Sequence, residues 1–223
     1  NKGQGIDVAS GVLLVRDSVI QDCVGEISGP GMHLAQSTNA QLDGVTFRNN
    51  QALGDDKKAT MGGHLSSSGT LIVVGDTRFI DGEAYTSGGA VSIISGTATF
   101  SGTTFDSNES FSGGAVSVSG GTFSCTDCTF RENVAADRGG ALLVAGASAD
   151  VTITRGKMEG DGTSDQAAYG GGVAVVEGTA VFDGVAFNHL HASERGGALA
   201  LDDPTNAFTS TVSFTECTFS YNA

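Results

Sequence analysis

One stretch of this chain keeps returning. Residues 87–108 read SGGAVSIISGTATFSGTTFDSN, and residues 112–133 read SGGAVSVSGGTFSCTDCTFREN. Looser copies begin RGGALLV, YGGGVAVV and RGGALAL. Each copy runs Gly-Gly, a short alternating segment, a turn, a second alternating segment, then Phe-x-x-Asn. Aligned on that Phe, the anchors are Ile20, Phe47, Phe79, Phe105, Phe130, Met158, Phe187 and Phe219, spaced 25 to 32 residues apart.

Two columns upstream of the anchor are apolar throughout. Five residues before it stand Val15, Leu42, Val74, Phe100, Cys125, Ile153, Phe182 and Phe214. Seven before it stand Leu13, Ala40, Ile72, Ala98, Phe123, Val151, Ala180 and Val212. This is period-two alternation, with one face buried and one wet. The segment after Gly-Gly alternates too, as in Val91 and Ile93 or Val116 and Val118. Each unit therefore supplies about three short strands.

A sandwich or barrel does not need every apolar column to recur once per unit, whereas a solenoid does, because equivalent positions of successive coils stack. Units of this length with unequal loops predict an all-β, right-handed parallel β-helix of the pectin-lyase-like kind, with about eight coils. At the strand spacing this is a rod roughly 35 to 40 Å long. Residues 1–223 read as one such domain. The pattern starts at the first residue and runs to Asn222 with no polar cap, so the expectation is a segment of a longer β-helix or a stacked fibre subunit.

Composition narrows the function. Glycine is abundant at 34 and proline scarce at 2, and no apolar run is long enough to span a bilayer as a helix. The formal charge of −14 repels phosphate backbones and anionic lipid, arguing against nucleic-acid partners and membrane insertion. Length differences fall at 51–61, 161–168 and 202–210, as loops on a regular shaft where solenoids bind partners.

The tetrapeptides carry a resemblance. GGAV (88–91 and 113–116) and GGAL (139–142 and 196–199) alternate in register with FRNN (47–50), FDSN (105–108), FREN (130–133) and FSYN (219–222). This resembles the repeat of the chlamydial polymorphic membrane proteins, found also in other extracellular proteins. The resemblance implies a right-handed β-helix displayed outside the cell as an adhesin or passenger, without enzymatic activity. Its structural residues here are Phe47, Phe79, Phe105, Phe130, Phe187 and Phe219, with Asn50, Asn108, Asn133 and Asn222. The glycines are Gly88, Gly89, Gly113, Gly114, Gly139, Gly140, Gly196 and Gly197. The Asn column departs from the pattern at Cys23, Gly82, Asp161 and Leu190. Physically, Phe suits the coil interior, Asn a left-handed corner and an amide ladder, and Gly-Gly a positive φ or a close approach.

The column three before the anchor offers a catalytic reading, with Asp17, Asp76, Asp127, Arg155 and Glu216. Clustered acids beside a base suit a polysaccharide lyase or hydrolase, and an Asp ladder suits calcium. Gly44, Gly102 and Gly184 break the column, which favours a surface ion pair of Asp127 with Arg155 and no metal or cofactor. Arg138 and Arg195 sit two coils apart on one edge, where an acidic partner or sulfated glycan would meet them. His189 and His191 are expected to share a surface face. Cys125 and Cys128 suit a buried thiol or local disulfide, while Cys23 and Cys217 are too far apart to pair with each other or with these. Asn108-Glu109-Ser110 is the one glycosylation sequon, on an Asn expected in the ladder. Threonines do not fall in flat unbroken ranks in this alignment, which argues against an ice-binding face. The expectation is an extracellular structural or adhesive rod with protein, self-assembly or glycan partners, and a polysaccharide-active enzyme as the alternative.

Overall fold

A computed structural model describes residues 5–53, 59–162, 166–201 and 210–223. The described strands pair in parallel with the equivalent strand one coil away, giving sheets of twelve, eight and seven strands. Eight anchor strands stack in the second sheet and bound seven complete turns. One coil shows the plan. Val91–Ile93 and Thr97–Ser101 lie in the first sheet, Thr104–Asp106 in the second and Glu109–Ser112 in the third. Four segments per coil are present rather than three. The strand after the Asn was overlooked because its alternation is short and its inward residues, such as Ala84, Ser110 and Ala135, are small or polar.

The apolar columns point inward, with one correction. In the third coil the buried residues are Leu71 and Val73, paired with Ala40 and Leu42, while Ile72 is 42% exposed and Val74 half-buried. The turn from Val73 to Phe79 holds one residue more than its neighbours, with Gly75 taking the left-handed corner that Gly44 and Gly102 take elsewhere. A one-residue slip moves every side chain to the other face. The turn absorbs that extra residue.

The anchors fill the centre. Phe47, Phe79, Phe105 and Phe130 form one stack, with centroids 4.8, 5.2 and 4.8 Å apart and ring planes within 10°. Met158 interrupts it, and Phe187 and Phe219 resume it at 4.8 Å. The spacing is set by the strands, and parallel rings at that distance are offset, the favoured arrangement. Phe219, on the last coil, is 50% exposed.

The corners differ in detail from the expectation. Left-handed backbone falls on the residue before the Asn, at Asn49, Ser107, Glu132 and Tyr221, not on the Asn itself. This frees the Asn side chain to turn inward and bond to the coil before it. Asn108 donates Nδ2–H to the Phe79 carbonyl at 3.1 Å and to Asn133 Oδ1 at 2.9 Å, and its Oδ1 accepts the Gly82 N–H at 2.9 Å. Asn133, Asn50 and Asn222 repeat the pattern on Phe105, Ile20 and Phe187. The two glycines divide their tasks. Gly88 and Gly113 have φ near +65°, and a Cβ on Gly89 or Gly114 would lie about 2 Å from the carbonyl oxygen of the next coil's glycine. Gly139 and Gly196 repeat the positive φ, and Gly140 and Gly197 the close approach.

Gaps in the Asn column are filled from elsewhere in the same coil. His64 stands where other copies have Ala90, Ala115 or Ala141, and its ring occupies the space left by Gly82, whose Cβ would lie 2.5 Å from it. Asn50 Nδ2 lies 2.9 Å from His64 Nδ1, so imidazole takes the missing amide's place. Leu190 likewise fills the space over Gly172, another Ala-column position, at 2.7 Å. A double-mutant cycle tests this exchange. His64→Ala should cost about 2–4 kcal/mol through a cavity and a lost partner. Gly82→Asn against the native ring should overpack, at about 1–3 kcal/mol. The double variant restores the repeat's own pairing and should unfold in urea close to wild type, a large positive coupling.

Candidate functional site

With the interior committed to packing, chemistry is left to the outer faces. On the third sheet Glu83, Glu109 and Val134 pair in register on successive coils. Next along these strands, Ala84 and Ser110 turn inward, and Tyr85 and Phe111 turn out, 46% and 54% exposed. Ser110 Oγ donates to the carbonyls of Ser112 and Gly113 at 2.8 and 3.0 Å, fixing the bend that follows. A register shift between Ala84 and Ser87 bulges the face there. The result is a shallow depression lined by Glu83, Tyr85, Glu109, Phe111 and Ala136. Gln51 Nε2 donates to Glu83 Oε2 at 3.1 Å from the coil before. Two aromatic surfaces and two carboxylates thus sit on neighbouring coils about 5 Å apart. Phe111 occupies the third position of a strand whose existence the repeat pattern hid, which is why sequence reasoning missed the patch.

Further along this sheet Tyr169 lies between Arg138 and Arg195, in register with both. Their guanidinium carbons stand 5.5 and 5.3 Å from its ring centre, a cation–π stack that spaces the two arginines along the edge. Arg138 also bonds Asp137 at 3.0 Å.

The column three before the anchor is a backbone corner. Asp17, Asp127, Arg155 and Glu216 all carry left-handed backbone there. Arg155 Nε and Nη2 each reach an Asp127 carboxylate oxygen at 2.9 Å, and hydrogen bonding to Arg155 holds that carboxyl below its usual range. The pair is exposed and contributes little to stability. Asp76 turns to Arg78 at 3.0 Å. Among the described residues no three His, Cys, Asp or Glu side chains converge as metal ligands would.

Cys125 and Cys128 form a disulfide beneath this corner, and Cys23 and Cys217 are free thiols, half-buried at the two ends of the rod. His189 stacks on Tyr221 of the next coil at 5.0 Å. The carboxamide of Asn108, the Asn of the sequon, is buried, and both ends are engaged in the ladder. Of the length-varying loops, residues 54–58, 163–165 and 202–209 lie outside the described residues, as does Asn1.

Three parallel sheets wound about one axis define the class as a parallel β-solenoid. The family model of right-handed β-helix regions matches residues 1–180, and the chain belongs to that family. No curated protein and no solved structure matches it.

Among the described residues His64 is the strongly perturbed group. Burial pushes its imidazole down to about 3, and the nearby Asn108 side chain and Ile80 backbone offset this only in part. Nε2 faces them without closing a hydrogen bond of good geometry. Below the unfolded value of 6.5, the unfolded chain takes a proton that the folded chain refuses until about pH 3. The contribution of His64 is therefore intact above pH 6.5 and lost on acidification, at about 1.4 kcal/mol per pH unit. Urea unfolding at pH 7 and pH 4.5 should show the stability gap between wild type and His64→Ala narrowing by about 2–3 kcal/mol at the lower pH.

Proposed function

We propose that this β-helix is a non-catalytic extracellular structural or adhesive module, of the kind its repeat resembles in the chlamydial polymorphic membrane proteins. The observation that carries the reading is the solvated pair Tyr85 and Phe111 on adjacent coils. Aromatic side chains left in water on a rigid sheet are anchors for a partner, at low entropic cost. The Cys125–Cys128 disulfide supports an oxidising compartment. No described helix is long and apolar enough to cross a membrane, and the chain's negative charge disfavours nucleic acid. Its partners are proteins, further copies of the chain or glycans, and no cofactor takes part.

A polysaccharide-active enzyme is the second reading, favoured by one observation. Glu83 and Glu109 are paired in register on adjacent coils beside the aromatic surfaces, as paired-carboxylate chemistry would need. The two readings separate in one experiment on purified chain. Glycan-array and cell-surface binding should fall at least about tenfold in the Tyr85→Ala/Phe111→Ala variant, as loss of paired hot spots implies. Binding should survive in Glu83→Gln/Glu109→Gln, with no reducing ends released from polysaccharides. Release of reducing ends or unsaturated products that stops in the Gln variant would establish the enzyme instead.

A further inference from the structure

The remaining broad surface is the outer face of the first sheet, and it differs in kind from the other two. Once the third coil is in its observed register, outward positions line up from coil to coil. One rank runs Thr70, Thr97, Thr122, Asp150, Thr179 and Thr211. The rank beside it runs Ile72, Thr99, Ser124, Thr152, Val181 and Ser213. In the third, Ser101, Thr126, Thr154 and Thr215 continue the pattern, with Val74 before them and Asp183 between the last two. The observed register of the third coil adds Thr70 to the first rank. No rank is pure threonine, but Ser or Thr holds thirteen of these eighteen positions, with Ile72, Val74, Asp150, Val181 and Asp183 at the rest.

Across these six coils the three ranks hold no Lys, Arg or Glu, their charges are Asp150 and Asp183, and the middle rank carries none. The second sheet, by contrast, sets Arg131 on Asp106 and Lys157 beside Glu159. In a chain of net charge −14, so sparsely charged an area fits an uncharged partner. The strands pair through this region without a bulge. Side chains therefore form a rectangular net, about 4.8 Å along the rod and about 6.6 Å along each strand. β-Branched residues are stiff at χ1, so each Thr presents methyl and hydroxyl in a fixed sense. The ranks hold no aromatic or Arg anchor, and the concavity at their edge, lined by Val12, Leu14, Gln41, Thr70 and Ile72, lies toward the first two coils.

We infer that this face binds ice. Hydroxyls repeating on a flat, stiff net hold first-shell waters in matching ranks, and methyl groups between them leave those waters to bond one another. Bridging waters of this kind are nearly as good as direct hydrogen bonds and cost little to order when the donors are already fixed. The ordered layer merges with a growing crystal face, which repeats as the net does. This inference uses a different face from the Tyr85–Phe111 patch and is independent of the adhesive reading.

The test is slow growth of an ice hemisphere from a dilute solution of the purified chain, together with thermal hysteresis. Wild type should be incorporated into the ice and show hysteresis. Thr99→Lys/Thr152→Lys, at the centre of the net, should be excluded and lose most of the hysteresis. Thr129→Lys, the same change on the second sheet, should behave as wild type. Ser124→Tyr, in the same middle rank, provides a second disruption, and circular dichroism checks folding of each variant. Exclusion of folded wild type from ice would overturn the inference. So would retention of full activity in the folded Lys or Tyr variants, or binding to crystalline cellulose or chitin with no incorporation into ice.

Discussion

Parallel strands stacked in register, one coil per step, are the constraint on which the rest depends. The hydrogen bonds that hold coil on coil fix every residue directly above its equivalent. Like meets like as a result, with Phe on Phe, amide on amide and threonine on threonine. A misfit cannot be relieved by sliding, because the neighbouring coils hold the register. It has to be solved where it arises. His64 with Gly82, and Leu190 with Gly172, are such local solutions, each trading a large residue in one column for a small one in the other.

The same stacking separates architecture from function. Inside, all coils are nearly interchangeable. Outside, the three sheets have three characters. The first is sparsely charged and rich in hydroxyls, the second is stitched by ion pairs between and within coils, and the third carries exposed aromatics and carboxylates. Surface ion pairs contribute little energy. Their placement matters more, because the hydroxyl ranks of the first sheet carry only Asp150 and Asp183 as charges. A solenoid can present several unrelated surfaces, since each is written in a different register of the same repeat.

Most of the interior was legible in the sequence because Phe, Leu and Val recur at fixed offsets and nothing else satisfies a stacked core. The Asn ladder was legible as a column, but not the direction of its bonds or the residue that takes the left-handed corner. Those depend on backbone geometry that Asn49, Ser107 and Glu132 reveal only in three dimensions. His64 was missed because it lies in an Ala column, remote from the gap it fills. The third coil was misread for a simpler reason. Counting back from Phe79 assumed a turn of constant length, and one added residue put Ile72 and Val74 on the wrong face. Outer positions carry no apolar signal to expose such an error. The Tyr85–Phe111 patch lay on a strand too short to show a period.

The ladder also has a direction. Each Asn reaches back to the coil before it, so a corner is completed by whichever coil is added next. Asn108 and Asn133 are 25 residues apart and make equivalent bonds. The segment between them is a self-compatible module, carrying its own disulfide, its own Phe and one rung of the threonine net. Tandem copying of that segment would extend the rod by about 4.8 Å per copy without changing any existing contact type. Reach and surface area are thereby heritable by simple duplication, with the disulfide-bearing coil as the unit of growth.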